Sequence, residues 1–380
     1  MLERLYRIFT SLKLTVVLLA LGLILIFWGT LAQVHQGLYD VQNEFFRSFF
    51  IYWHPAGSSA RIPIFPGGYF VGGLLLINLF SAHLRYYKPG ARKIGIAMIH
   101  LGVVLLLLGQ FLTDMLSSES TMHIRAGETK NYAEASRSFE LAVVDTTDSD
   151  SDKVVAIPAK LLAGGGTIAH AEMPFTIKVK KFFVNSSLSE QSTNGFAATG
   201  ADAGFGADLY WVELPHETAM DARDTPSATV EFMGKSGSLG TYLVSGFLRS
   251  QQFEADGRTY DLALRPVRFY KPFALQLIEF RHDKYAGTDI PMNFSSRVRL
   301  LRPDKGEDRE INIYMNNPLR YAGETYYQAS FDRDDQGTIL QVVHNPSWLT
   351  PYFACLLVAF GMIWQFATHL LGFARKQKAT

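Results

Sequence analysis

The sequence predicts an α-helical membrane protein with four transmembrane helices and a large extracytoplasmic, mostly-β domain inserted between helices three and four. Two observations predict this fold. Uncharged apolar runs occupy residues 14–34, 67–82, 94–112 and 348–374, whereas the stretch 117–346 reads like an ordinary soluble domain. Roughly 20 apolar residues are enough to cross a bilayer as a helix. We therefore predict a membrane region with three helices at 1–116, the β-rich domain at 117–346, and a C-terminal membrane helix with a cytoplasmic tail at 347–380.

The first helix, at about residues 14–34, is predicted to be an uncleaved membrane span. A signal peptide has a shorter apolar core and an Ala-x-Ala-like exit, and this run has neither. The second and third helices are predicted at about 67–84 and 94–114. Pro89-Gly90 in the short link between them is a turn signal, so we expect these two helices to form an antiparallel hairpin.

Basic residues predict the orientation of the helices. They precede the first helix, fill the link between the second and third, and follow the fourth: Arg4, Arg7, Lys13, Arg85, Lys88, Arg92, Lys93, Arg375, Lys376 and Lys378. With four spans these segments lie on one side, which is cytoplasmic because Lys and Arg are enriched there. We expect a multi-pass protein of the bacterial inner (plasma) membrane, with both termini cytoplasmic, residues 35–66 outside and the large domain 117–346 periplasmic or extracytoplasmic.

The remaining composition narrows the function classes. The net charge of +1, with no basic stripe and interleaved aromatics, argues against a nucleic-acid partner. The single cysteine, Cys355, excludes a disulfide within the chain and a Cys-x-x-Cys redox or metal pair. We expect Cys355 to be a small packing residue of the fourth helix.

The region 117–346 contains short segments of alternating polarity with turn residues between them. Examples are residues 139–144, 175–183, 275–280, 297–301 and 310–314. A period close to two favours antiparallel strands, so we predict a sandwich or an open barrel without notable helices. The Ser- and Gly-rich stretch 186–208 is predicted to be loop.

A weak internal repeat is present in this region. Residues 173–182 and 271–280 both read Pro-Phe-x-φ-x-φ-x-x-Phe, where φ is an aliphatic residue. The region either holds two related β halves or uses similar residues in two unrelated strands.

His100 is the main candidate site residue, because it lies inside the apolar run 94–112. A titratable side chain in hydrocarbon is costly and marks a functional site by default, and imidazole is a natural metal or haem ligand. His100 lies about 10 Å inside Lys93 at 1.5 Å per residue. The alternative is a neutral histidine that bonds a neighbouring helix. Leu101-Gly102 and Gly109 would permit close helix contact.

Several motifs together resemble the ResB-type family of cytochrome c biogenesis proteins (system II). They are Gly29-Thr-Leu-Ala-Gln33 at the end of the first helix, His100-Leu-Gly102, Met122-His-Ile-Arg-Ala-Gly-Glu128, Pro272-Phe273 through Asn293-Phe-Ser-Ser296, and Asn317-Pro-Leu-Arg-Tyr-Ala-Gly-Glu-Thr-Tyr-Tyr-Gln-Ala-Ser330. Their order and spacing hold over the whole chain. Residues 186–260 contain no motif that aligns with the family.

The resemblance implies a subunit of a haem transport and cytochrome c haem-attachment complex. Members work with a membrane protein of the ResC/CcsA type, carry haem b across the membrane, and present apocytochrome c for thioether formation. A thioredoxin-like protein that reduces the apocytochrome thiols is a further implied partner. The chain would be at most part of a holocytochrome c synthase (haem lyase), not catalytic alone. A family histidine in the position of His100 is a haem axial ligand.

Other residues are weaker candidates. His83 and His369 lie near the same end of their helices as His100 and could be further haem ligands, or ordinary interfacial histidines. Near the outer helix ends, His35, His54, His123 and His344 could sit at a haem exit, and Arg125 and Arg320 could pair with haem propionates. We expect Pro318 to stop a strand and Gly323 to permit a tight turn. No metal beyond the haem iron and no catalytic residue is expected.

Two functions of other classes remain open. The chain could be a membrane electron carrier with b-type haem held between His83, His100 and His369. It could also be a structural anchor that displays a β module outside the membrane.

Overall fold

The computed structural model describes residues 2–55, 60–86, 90, 93–148, 151–193, 195–220, 222–288 and 291–377. The chain forms two compact units. Unit 1 comprises Met1–Ser118, Thr218–Met220 and Asn345–Thr380, and unit 2 comprises Glu119–Glu217 and Asp221–His344. Tyr87, Lys88, Pro89, Arg92 and Lys378, on which part of the predicted link and charge pattern depends, lie outside the described residues.

Seven α-helices occur in the described residues. They are α1 (Leu2–Phe9), α2 (Leu12–Gln36), α3 (Leu38–Val41), α4 (Gly68–Tyr86), α5 (Ile94–Leu116), α6 (Ala159–Ala163) and α7 (Thr350–Gln377), of which α6 belongs to unit 2. A π-helical turn, Gln42–Phe46, continues α3. Strands β1 (Phe50–Trp53) and β2 (Ile62–Pro66) pair antiparallel between that turn and α4.

Three of these helices are long and apolar enough to cross a membrane. They are α2, α5 and the Thr350–Arg375 part of α7. Helix α4 is not among them, because its 19 residues include Asn78, His83 and Arg85. The prediction of apolar spanning helices is therefore confirmed for three of the four.

Helices α5 and α7 pack closely through glycines spaced seven residues apart on α5. A methyl group on Gly102 would lie 2.5 Å from Val358 Cγ2 and 2.9 Å from the Ala354 carbonyl oxygen. A methyl group on Gly95 would likewise be too close to Gly361, and one on Gly109 would be too close to Thr350. Small residues allow helix backbones to approach in a membrane, where packing drives association. The expected contact at Gly102 and Gly109 is thus confirmed.

Cys355 does not have the predicted packing role. Its neighbours Ala354 and Val358 face α5, so Cys355 lies on another face of α7 and is exposed.

Asn78 ties the N-terminal segment to α4. Its side-chain amide donates to the carbonyl oxygens of Phe9 at 2.8 Å and Ser11 at 3.2 Å, and its carbonyl oxygen accepts from the Thr15 hydroxyl at 2.6 Å. Asn78 is buried. It therefore bonds the Phe9 carbonyl at the end of α1 and adds a bond to the Ser11 carbonyl, which also accepts from the backbone of α2.

Unit 2 contains the strands β3 to β19. They are β3 (Ser118–Arg125), β4 (Thr129–Asp145), β5 (Lys153–Pro158), β6 (Gly166–Ile168), β7 (Thr176–Phe183), β8 (Ser186–Ser189), β9 (Ala197–Ala198), β10 (Tyr210–Glu213), β11 (Ser227–Gly234), β12 (Gly237–Ser245), β13 (Gln251–Ala255), β14 (Arg258–Lys284), β15 (Pro291–Arg302), β16 (Glu307–Tyr314), β17 (Leu319–Tyr321), β18 (Glu324–Phe331) and β19 (Gly337–His344). The prediction of a mostly-β region is confirmed. The stretch 186–208 is not all loop, since β8, β10 and β9 form a small sheet.

The main sheet is a nearly closed barrel in the strand order β16-β15-β14-β4-β3-β19-β18-β17. An isolated bridge between Tyr314 and Asn317 joins the ends of the path. Strand β14 runs for 27 residues, and its pairing with β4 shifts register near Pro266 and Pro272. A proline cannot donate to the ladder, so prolines in strands fall at such irregularities.

The long strands β4 and β14 line two cores. At one end, Leu275 and Leu277 pack inside the barrel with Val298 and Leu340. At the other end, Leu141 and Leu262 pack against a second sheet of order β12-β11-β7-β6. The alternatives of sandwich and barrel are both realised, because one pair of strands is long enough to serve both.

The internal repeat coincides with these two cores. Phe175 and Phe273, the matched phenylalanines, are each 3% exposed, and they lie in the sandwich and barrel cores respectively. The next matched alternate residues are also buried: Ile177 and Val179 in one core, Leu275 and Leu277 in the other. The repeat therefore marks equivalent burial patterns in two strands.

Candidate functional site: a histidine pair between two helices

His83 and His100 lie side by side on adjacent helices. Their ring centroids are 5.7 Å apart, with ring planes at 83°. His83 is near the C-terminal end of α4, and His100 is in the second turn of α5. The chain reverses between these helices, so two residues 17 positions apart in sequence meet at one end of the helix pair.

The surroundings of the pair follow from the glycine pattern of α5. Gly95, Gly102 and Gly109 face α7, and at 3.6 residues per turn His100 falls on nearly the opposite side of the helix. His100 therefore faces α4 and not α7. Both imidazoles are half-buried, and the α5 sequence around His100 is apolar.

Basic side chains cluster at the same end of unit 1. The Arg85 guanidinium donates to the Thr10 hydroxyl at 2.9 Å and stacks on the rings of Tyr6 and Tyr86. Lys93 precedes the first residue of α5. The histidine pair thus lies near the end of the helices that carries positive charge.

His369 is placed differently from the pair. It is exposed on α7, and its Nε2 lies 2.7 Å from Gln365 Nε2, so the glutamine amide is the donor. Gln365 packs beside Gly95, on the face of α5 that is turned away from His83. The structure brings together two of the three predicted site histidines.

The four outer histidines divide between the two units. His35 and His54 are exposed in unit 1. In unit 2, His123 Nε2 lies 2.9 Å from Asp332, and His344 Nδ1 lies 3.1 Å from the Gly323 carbonyl oxygen. Within the described ranges, no group of three or more His, Cys, Asp or Glu could hold a metal ion.

The predicted propionate partner Arg125 is already engaged. Its guanidinium bonds Asp332 at 3.2 Å and Asp334 at 2.6 Å. The bond to Asp334, together with one from the Gln336 backbone N–H, holds the pKa of the Asp334 carboxyl below its usual range. Arg320 lies in β17, one position after the strand begins. The turn that follows contains Gly323 at φ +82°, as expected for a position that favours glycine.

A charged cluster at the other end of the helices was not predicted. The half-buried Asp114 of α5 accepts a hydrogen bond from the Tyr69 hydroxyl of α4, and Arg47 Nε lies 2.6 Å from its carboxylate. Asn78 was missed as well. Asn78 and Asp114 are polar residues within or beside apolar runs. That position in the sequence is a signal that could have identified them, because a polar residue in an apolar helix needs a specific partner.

The chain resembles known proteins over most of its length. The model of the ResB-like family matches residues 245–346, which span β13 to β19. The chain is 25% identical over 295 residues to Protein NrfI of Wolinella succinogenes, and the match covers 77% of this chain and 29% of NrfI.

The two matches support one another. The family model covers the barrel strands that carry the Asn317–Ser330 motif, and the longer match extends the likeness to other parts of the chain. Three apolar helices long enough to cross a membrane also fit a membrane protein. The chain therefore resembles the ResB-like family, as its sequence motifs predict.

Proposed function

We propose that this chain is a subunit of a haem transport and cytochrome c haem-attachment complex, with His100 as an axial ligand of transported haem b. The observation that carries the proposal is the His83–His100 pair at one end of apolar helices, in a chain with a ResB-like match. We place this complex in the bacterial inner membrane with both termini cytoplasmic, so that the histidine pair lies near the cytoplasmic face.

The pair is of the right chemistry for haem iron. The imidazole rings of His83 and His100, whose centroids are 5.7 Å apart, would hold the iron through their ring nitrogens. The two imidazoles and the apolar helix surfaces suit a hydrophobic macrocycle with a coordinating metal.

Each part of the chain has its own role in this proposal. His100 holds the iron, and His83 either completes the coordination or orients the His100 ring. Bound haem supplies the iron and the vinyl groups that react with cysteine thiols. Unit 2 presents apocytochrome c, while a ResC/CcsA-type membrane protein completes the haem path. A thioredoxin-like reductant would keep the apocytochrome thiols reduced.

Helix α4 is proposed to be the fourth span in spite of its polar residues. It runs beside α2 between Thr15 and Gly22. The Thr15 hydroxyl of α2 bonds Asn78 of α4, and a methyl group built on Gly22 of α2 would lie 3.8 Å from Val71 Cγ1 of α4. Its polar residues are thereby directed toward protein neighbours, as intramembrane polar residues require.

The second candidate is a membrane electron carrier, and the same histidine pair favours it. If His83 and His100 both bind one iron, the isolated chain should hold haem tightly and cycle reversibly between redox states. In the haem-transport function the haem is passed on, so the isolated chain should hold it only weakly. The redox titration of the purified chain distinguishes the two functions.

The experiment is the absorption spectrum of the purified complex with its ResC/CcsA-type partner. We expect His100→Ala to lose most of the bound haem and added imidazole to restore it. His369→Ala is the matched control, because this histidine is exposed and bonds its own helix. Unchanged haem content in His100→Ala would refute the ligand assignment, and the effect of His83→Ala decides between one ligand and two.

A genetic test addresses the function as a whole. Deletion of the gene should abolish maturation of c-type cytochromes, measured by haem staining of membrane proteins. Normal maturation after deletion would leave the structural-anchor function in its place.

A further inference from the structure

The segment between α2 and α4 folds back along α2. Val41, Phe45 and Ile51 are each at most 2% exposed and pack on Leu25. The Trp28 ring lies 5.3 Å from Phe45 and 5.8 Å from Phe65 of β2. Leu25 is 11 residues before the end of α2, so the segment returns about 16 Å along the helix.

The other side of this segment is apolar and exposed. Phe49 is 63% exposed, Trp53 54% and Tyr52 37%, while Ile62 and Ile64 of β2 are 43% and 47% exposed. Trp53 lies opposite Ile62 in the strand pairing, and Ile64 is two residues further along β2, so these three side chains share one side of the hairpin, which we call the hairpin face. A water-soluble surface rarely gathers so many large apolar side chains without a partner.

The position of the hairpin face along the helix axes follows from contacts within unit 1. The backbone N–H of Gly67 donates to the Phe49 carbonyl oxygen at 2.8 Å, and Tyr69 bonds Asp114 near the end of α5. Asp114 is 14 residues beyond His100, hence about 21 Å along α5. The hairpin face therefore lies at the end of the helices opposite the histidine pair and the basic residues.

The physical properties of the hairpin favour the headgroup region of a membrane over both hydrocarbon and bulk water. A two-stranded hairpin has unpaired backbone groups on both edges, which hydrocarbon cannot satisfy. Exposed tryptophan, tyrosine and isoleucine disfavour bulk water. The headgroup region of a membrane suits both, since Trp and Tyr are enriched there.

A partner strand on the edge of β2 is less suitable. Pro63 and Pro66 lie within the five residues of β2 and have no backbone N–H to donate. Strand pairing with another protein would need such donors.

We propose that the β1–β2 hairpin is an interfacial anchor whose exposed face lies in the headgroup region of the membrane, in the leaflet opposite the cytoplasm. Its partner is the lipid surface. The anchor fixes the depth of the outer half of α2 and of the α4 start, because the hairpin packs on one and leads directly into the other. This inference depends on membrane insertion and is independent of haem binding.

The test uses fluorescence quenching of Trp53 in nanodiscs of dioleoylphosphatidylcholine that contain phospholipid brominated at defined acyl positions. The full chain has five tryptophans, so the Trp53 signal is the difference between the wild type and Trp53→Phe. We expect this difference signal to be quenched more by bromine at carbons 6 and 7 than at carbons 11 and 12. We also expect weak quenching by aqueous iodide.

The matched control is Trp211→Phe, since Trp211 is 2% exposed in the core of unit 2. Its difference signal should be insensitive to brominated lipid. Equal thermal unfolding of Trp53→Phe and wild type would show that the hairpin remains folded. Strong iodide quenching of Trp53 without lipid quenching would overturn the proposal. Shielding that arises only after a ResC/CcsA-type protein is added would assign the face to a protein partner instead.

Discussion

Asn78 and Asp114 are polar residues of unit 1, and each completes a specific set of bonds. Asn78 closes the break between α1 and α2, and Asp114 joins α4 to Arg47. Leaving a buried donor or acceptor unpaired costs about 1–3 kcal/mol. Such residues are therefore expensive to remove, although neither contacts the histidine pair.

Replacement of Asn78 by leucine should destabilise unit 1 by about 1–3 kcal/mol, because three hydrogen-bonding partners lose their bonds. Thermal unfolding of the full chain in nanodiscs measures the effect. Thr15→Val is the matched control, since it removes one of these three bonds and should cost less. Equal stability of Asn78→Leu and wild type would mean that the bonds contribute nothing net.

Asp145 should make the stability of unit 2 depend on pH. Hydrogen bonds from Thr147 and then Arg258 lower the pKa of the Asp145 carboxyl, against burial, which raises it. A carboxyl whose folded pKa is depressed stabilises the fold at pH values above its unfolded pKa of about 3.9. That contribution is lost as the pH falls through the folded pKa.

Asp145→Asn should therefore be less stable than the wild type near neutral pH. The difference should shrink when unfolding is measured below about pH 3.9. A difference that stays constant from neutral to acid pH would contradict the assigned ionisation.

At the scale of elements, the antiparallel α5–α7 pair depends on three glycines and turns His100 toward α4. The glycines face α7 along one side of α5, so the opposite side is left for α4. The same pattern that packs one helix thus orients the histidine.

Gly102→Ala should weaken this helix pair by about 1–3 kcal/mol, the usual cost of overpacking. Its new methyl group would lie 2.5 Å from Val358 Cγ2 and 2.9 Å from a backbone oxygen. Gly72→Ala on α4 is the matched control, because a methyl group there meets nothing within 4 Å. Thermal unfolding in nanodiscs compares them, and similar losses in both variants would argue against a tight α5–α7 contact.

At the scale of the whole molecule, two cores share β4 and β14 within unit 2. Phe175 and Phe273 occupy matched positions in the two cores. Truncation of a buried phenylalanine to alanine costs about 3–5 kcal/mol. We expect Phe175→Ala to increase hydrogen exchange in β7 and β11 more than in β15, and Phe273→Ala to do the reverse.

Hydrogen-exchange mass spectrometry of the full chain measures both patterns. Equal increases across both cores in each variant would show that the shared strands couple them into one cooperative unit.

Much of this architecture follows from local sequence patterns. Apolar run length predicts α2, α5 and α7, and alternation with a period of two predicts the β region, because both patterns reflect burial of neighbouring residues. The ResB-like motifs likewise predicted the resemblance to the ResB-like family. Helix α4 shows the limit, since its polar residues are stabilised by partners on α1 and α2 that no local pattern identifies.

The sequence by itself determined that His100 lies in an apolar helix and that its chain resembles ResB-type proteins. Only the tertiary structure decided that His83 is its neighbour, that His369 is not, and that the segment after α2 folds back to form an exposed hairpin face. The physical reason is that local patterns record the average environment of a residue. Which side chains meet depends on how the helices are rotated and packed. Three glycines of α5 fix its rotation against α7, and the bonds of Asn78 fix α4 against the junction of α1 and α2.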